Sequence, residues 1–187
     1  MDEKRYYVAC LDLEGRGCLV VGGGPVALEK ASGLLECGAR VTVVAPVISP
    51  GLRELPVELR EREYEPGDLE GRFLVVAATA DTELNRRVHA GAEARSLLVN
   101  VVDVPELCSF ILPAVHREGP LAIAVSTGGA SPALAQRIRR ELATRYGAEY
   151  AELARTLRAL RPWAKARFET YEERRDFFQR LVEEALA

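Results

Sequence analysis

The run GGGPVA at residues 22–27 lies between a short apolar stretch and a helical pattern, and few folds accommodate that order. Residues 18–21 are short and continuously apolar, as a buried parallel strand is. From Pro25 onward, Val26, Ala27, Ala31, Leu34 and Leu35 recur at helical spacing as far as Cys37, and Gly38 supplies a stop. A second apolar, β-branched strand is predicted over residues 40–45. The glycine pattern itself reads G-x-G-x-x-A. Gly22 permits a tight turn, Gly24 lets the backbone approach a pyrophosphate, and Ala27 allows helix and strand to pack closely. The helix N-terminus adds unpaired N–H groups and about half a positive charge. With both strands and the helix in place, the loop predicts a dinucleotide site.

The alternation continues downstream. A weak, edge-like strand is expected over residues 57–63 and a buried one over 73–78. A helix follows over 82–95 with Asp81 as its N-cap, then a strand over 97–102. This βαβ rhythm predicts an open, mostly parallel sheet with helices on both faces. After Pro113 the character changes. Residues 121–126 read as a strand, with residues 110–115 pairing to it through a turn at 117–120. Ser131 and Pro132 open a helix that runs to Tyr146 and stops at Gly147. The remainder, from Glu149, is charged and helical, and Pro162 is expected to break it in two. The fold class is therefore α/β: a Rossmann-type parallel sheet (residues 1–112), a small α+β segment (113–147) and a C-terminal helical segment (148–187).

Composition excludes several function classes. The net charge of −3 gives no general attraction to nucleic acid or to anionic membranes. Cys10, Cys18, Cys37 and Cys108 form no CxxC pair and have no histidine at ligand spacing, so reduced thiols are expected and no metal site is. The N-terminus lacks a signal-peptide apolar core, and no apolar run approaches the ~20 residues that span a bilayer. A cytoplasmic protein off the membrane is expected. His89 and His116, the two histidines, read as surface residues. The sequence holds no serine nucleophile elbow, HExxH or P-loop lysine.

The second strand ends in Val43, Val44, Ala45 and Pro46, where a carboxylate would bond an adenosine ribose and none stands. No arginine is there either, so the residues leave NAD and NADP open, and backbone groups at positions 43–46 could support the adenosine. Further on, Asn100 and Asp103 fall at the carboxyl end of a predicted strand, where the ligand crevice of an open α/β sheet lies. Asp103 precedes Val104 and Pro105, so a turn residue is the equal alternative. The loop Ser126, Thr127, Gly128, Gly129, Ala130, Ser131 connects a strand to a helix N-terminus and can present N–H groups to anions. Arg137, Arg139 and Arg140 follow it, a combination suited to a carboxylate-rich substrate. An ordinary connection with a solvated basic face explains the same residues.

Three blocks, VVGGGPVALEKASGLLECGARVTVVAP, VVAATADTELNRRVHAGAEARSLLVNVVDVPELCSFILPA and LAIAVSTGGASPALAQRIRREL, give the chain a resemblance. It resembles the precorrin-2 dehydrogenase family of sirohaem biosynthesis over essentially its whole length. The resemblance implies NAD-dependent oxidation of precorrin-2 to sirohydrochlorin, with NAD as cofactor and Asp103 as general base. It implies a homodimer formed largely through residues 113–147. The cofactor, held mainly by backbone, is expected at Gly22, Gly23, Gly24, Pro25, Val26, Val43, Val44, Ala45 and Thr79. The substrate's carboxylates are expected at Asn100, Ser126, Thr127, Gly128, Gly129, Ser131 and Arg137. Glu29 stands before Lys30 where the family often has arginine, and Thr127 replaces a serine found in some members. Two other functions fit the same residues: a bifunctional enzyme that also inserts Fe²⁺ into sirohydrochlorin, and an NAD(H)-sensing module without chemistry. With the chain ending at Ala187, the methyltransferase domain of the fused bacterial enzymes is not expected.

Overall fold

The computed structural model describes residues 5–187. A break after Ile111 divides the chain into two compact units.

The first unit is built on five parallel strands: β1 (Gly17–Val21), β2 (Arg40–Val44), β3 (Glu58–Arg60), β4 (Leu74–Ala77) and β5 (Leu98–Val101). Their spatial order is β3-β2-β1-β4-β5. The polar strand β3 is at an edge, as its alternating sequence predicts. The central strands are buried on both faces, which is why they read as unbroken apolar runs. Alternate side chains serve different layers. Cys18, Val20, Val43 and Val76 pack with Ala27 and Ala31 of α1 (Pro25–Leu35) and with Leu52 of the short α2 (Pro50–Arg53). Leu19, Val21, Val75 and Val99 pack with Leu84, Val88 and Ala92 of α3 (Thr82–Glu93). Helices thus cover both faces, as the rhythm of the sequence predicts. Burial pushes the Cys18 thiol up to about 11, so it stays protonated as a small core residue at neutral pH.

Helix ends follow the expected chemistry. The Asp81 carboxylate accepts from the Glu83 and Leu84 N–H groups at 2.9 and 3.0 Å. Gly38, at φ +77°, closes α1 by donating to the Leu35 carbonyl. Between β3 and β4, a 3-10 turn over Pro66–Leu69 carries a buried carboxylate, Asp68.

The second unit begins with an antiparallel hairpin, β6 (Ala114–Glu118) and β7 (Leu121–Val125), turned by Gly119 and Pro120. Helices α4 (Pro132–Arg145), α5 (Ala148–Arg167) and α6 (Tyr171–Leu186) follow. Three expectations are corrected here. The first hairpin strand starts at Ala114, after Pro113, which has no N–H for a ladder, rather than at residue 110. Pro162 lies inside α5 and does not end it. The break falls at Phe168, and Thr170 with Glu173 forms a capping box that starts α6. His116 is buried rather than on the surface, with its Nε2 2.7 Å from the Tyr146 carbonyl at the end of α4. Among the described residues no helix is long and apolar enough to cross a membrane.

Candidate functional site

Chain direction reverses between β1 and β4, since β1 connects outward through α1 to β2 and β4 connects the other way through α3 to β5. Ligand crevices in open sheets lie at the carboxyl ends of strands flanking such a reversal. The glycine loop leaves β1 at this point. Gly22 has φ +132°, and a Cβ there would run into the Ala78 carbonyl, so no side chain fits. Its N–H donates to the Val44 carbonyl at 2.9 Å, and the Gly23 carbonyl accepts from Ser49 at the same distance. Both glycines are thereby pinned between the ends of β2 and β4.

Gly24 is different. It is the N-cap of α1, and a Cβ built on it would meet nothing within 4 Å. The protein's own packing does not demand glycine there, whereas a ligand approaching the backbone would. No side chain caps α1, Pro25 carries no N–H, and the first-turn N–H groups of Val26 and Ala27 have no helical partner. An anion at this helix start would receive those donors and the positive end of the helix dipole. Val26 and Val47 are 42% and 76% exposed beside the loop, an apolar flank for a flat base. The residues present fit a dinucleotide.

The expected adenosine positions are placed less simply. Val43 and Val44 are fully buried within the ladder, so at this end of β2 the exposed surface is made by Pro46 and Val47, with Ala45 at 6% exposure beneath them. No carboxylate ends the strand. Thr79 follows β4 next to Gly22. Its hydroxyl is 3.0 Å from Asn85 Oδ1, and Asn85 Nδ2 donates back to the Thr79 carbonyl at 3.0 Å. Sequence reasoning passed over Asn85, a 5%-exposed polar residue on α3 whose one signal was its place among apolar helix positions.

Asp103 is two residues beyond β5, at the same end of the sheet as the glycine loop. Two inter-strand spacings separate β5 from β1, roughly 10 Å. The aspartate occupies a turn closed by Val104 N–H to the Val101 carbonyl at 3.2 Å, with φ +61°. That third turn position ordinarily takes glycine or asparagine. Its carboxylate is exposed and, among the described residues, accepts no hydrogen bond. Asn100 is brought close in sequence but points elsewhere: it is 8% exposed and its Nδ2 donates to the Phe110 carbonyl at 3.0 Å.

The remaining candidate residues belong to the second unit. Gly128 and Gly129 take φ +63° and +89° in an exposed loop. Ser126 Oγ accepts from the Gly128 N–H, Thr127 Oγ1 accepts from Ser131 N–H at 3.0 Å, and Ser131 Oγ accepts from Leu134 N–H. Each hydroxyl thus shapes the loop or caps α4. Arg137 points into solvent and pairs with Glu141 at 2.7 Å, one turn on.

Residues 9–114 match the family described as putative NAD(P)-binding, and residues 118–145 match the one described as sirohaem biosynthesis protein central. The chain is 44% identical over 95% of its length to a siroheme synthase of Thioalkalivibrio sulfidiphilus, and 45% identical over 90% to one of Methylobacillus flagellatus. It spans 37% of the length of each of these relatives. Among solved structures, SirC, a precorrin-2 dehydrogenase, superimposes with a TM-score of 0.81 at 29% identity, covering 97% of this chain and 93% of that one. The chain belongs to the family described as putative NAD(P)-binding, and it shares the fold of SirC. Within the first unit, the glycine loop, Thr79 and Asp103 share one end of the sheet, while the glycine–serine loop before α4 is in the second unit.

Proposed function

We propose that this chain oxidises precorrin-2 to sirohydrochlorin with NAD as the hydride acceptor. The near-full-length likeness to a precorrin-2 dehydrogenase carries the reading. When bound, the nicotinamide ring takes two electrons and one hydrogen from the macrocycle as hydride. The chain's residues do the rest. Gly22, Gly23 and Gly24 give the pyrophosphate close backbone approach, and Pro25 and Val26 at the start of α1 bring the helix dipole to it. Ala45, below Pro46, and the Val43–Val44 ladder wall the adenosine end, and Thr79 lines the crevice beside Gly22. The proton released as hydride leaves goes to the Asp103 carboxylate, whose exposure and lack of partners among the described residues leave it open to substrate.

The substrate's carboxylates are assigned to Ser126, Thr127, Gly128, Gly129, Ser131 and Arg137, with Asn100 below Asp103. In this reading residues 1–112 hold the cofactor, residues 113–147 pair two copies into a homodimer, and residues 148–187 add the helical segment. The exposed thiol of Cys10 suits a reducing compartment such as the cytoplasm.

An anaerobic assay of the protein with precorrin-2 and NAD tests the function, following NADH and sirohydrochlorin together. The wild type is expected to form both in equal amounts. Asp103→Asn is expected to lower turnover about 100-fold or more, with NAD affinity unchanged. NADH binding without any NAD-dependent sirohydrochlorin would sink the dehydrogenase, and wild-type turnover by Asp103→Asn would remove Asp103 as the base.

A further inference from the structure

We propose that Asn100, Cys108 and Ser109 form a clasp that positions Asp103, with the Cys108 thiol as its principal member; the proposal rests on the reading of Asp103 as the base. Asp103 stands in a conformation that a non-glycine residue adopts at a cost, and among the described residues its carboxylate has no hydrogen bond to keep it there. Something else must fix the turn. The chain leaves β5, passes through Asp103 and a 3-10 turn over Pro105–Leu107, then doubles back along β5 at residues 108–110.

Three side chains bind the outgoing and returning arms. Ser109 accepts from Val99 N–H at 2.8 Å through its hydroxyl, while its own N–H donates to the Val99 carbonyl at 2.9 Å. Asn100 Nδ2 reaches the Phe110 carbonyl at 3.0 Å. Cys108, 8% exposed, is placed centrally. Its sulfur accepts from Val101 N–H at 3.2 Å and is 3.5 Å from Asn100 Nδ2. Its single proton goes to the Val101 carbonyl at 3.2 Å or the Val104 carbonyl at 3.3 Å.

Val101 and Val104 are the two ends of the turn that contains Asp103. With its proton on the Val104 carbonyl and the Val101 N–H donating to it, one sulfur braces both ends, and letting φ of Asp103 relax to negative values then requires breaking that brace. A merely apolar residue would fill the space without holding either carbonyl. The carboxylate's direction is thus set from beneath, by a residue that does not touch substrate. Asn100 then also serves Asp103 through the backbone of the returning arm.

The test is a double-mutant cycle on the full chain, with kcat and KM for precorrin-2 at saturating NAD, and NAD affinity measured separately. Cys108→Ala is expected to lower kcat roughly 10- to 100-fold through misplacement of the carboxylate, with KM and NAD affinity within about twofold. Cys108→Ser retains a donor and acceptor on a shorter bond and is expected to recover part of the loss. In the Asp103→Asn background, Cys108→Ala is expected to cost nothing further, because residues acting through one another are not additive. Wild-type kcat in both Cys108 variants overturns the clasp, as do losses that simply multiply in the double variant. If Cys108→Ala does not fold, the same cycle is run with Cys108→Ser. Full turnover by Asp103→Asn is a separate failure: it removes the base, and any Cys108 effect is then structural.

Discussion

At Asp103 two demands on one residue conflict. A turn with φ +61° is best served by glycine, yet the chain places a carboxylate there, with no bond among the described residues to offset the conformation. The left-handed conformation costs an L-residue on the order of 1 kcal/mol, less for aspartate than for bulkier side chains. Asp103→Gly is therefore expected to leave thermal stability unchanged or slightly raised while turnover is lost. Thermal unfolding and kinetics on the same preparation check this, and a clear loss of stability would show that the carboxylate is a structural part of the turn. From sequence, Asp103 could be placed at the crevice end of β5, because strand ends follow from apolar runs. Its backbone strain could not be read, nor could the bonds from Cys108, since both depend on where the returning arm lies. His116 escaped for a related reason: its partner carbonyl, Tyr146, is 30 residues away.

Among the elements, the long helix α5 departs most from expectation. Proline removes one helical hydrogen bond and crowds the preceding turn, which makes Pro162 a natural place to end a helix. The helix nevertheless continues to Arg167. Pro162 is exposed, and Ala151 and Ala164, fully buried on either side of it, anchor both halves. Tertiary packing therefore outweighs a local penalty. Pro162→Ala is expected to raise the stability of this unit by about 2 kcal/mol, the interior penalty of proline less the unfolded-state entropy it had removed. Denaturant unfolding with helical circular dichroism reads this out, and an unchanged midpoint would mean that α5 bends at no cost. The true break was legible and overlooked. Thr170 followed by Glu173 is a capping-box pattern, with the Thr170 N–H donating to Glu173 at 3.1 Å and holding that carboxyl below its usual range. The parallel strands were read with least difficulty because burial on both faces leaves so little freedom of composition.

At the scale of the molecule, two compact units mean that one melting temperature need not describe the chain, so stability is argued unit by unit. Among the described residues of the first unit, the one fully buried carboxylate is Asp68, 1% exposed. Burial alone would push its carboxyl up, but bonds from both Arg62 nitrogens, at 2.8 and 2.6 Å, from the Glu65 N–H at 2.9 Å and from Arg60 at 2.6 Å prevail. The carboxyl is held far below the usual carboxylate range. In the unfolded chain it would titrate near its ordinary value of about 3.9. Below that pH the unfolded state gains a proton that the folded state refuses, so stability falls as pH falls. The contribution is complete above about pH 5 and is lost progressively on acidification towards the depressed folded value. Asp68→Asn leaves Arg60 and Arg62 without their shared anion and is expected to cost about 3 kcal/mol at neutral pH. Its stability should also decline less between about pH 5 and pH 2 than that of the wild type. Hydrogen exchange of β1 and β4 amides isolates this unit from the other. Parallel pH profiles for the two proteins would mean that other carboxylates, and not this buried one, set its acid limit.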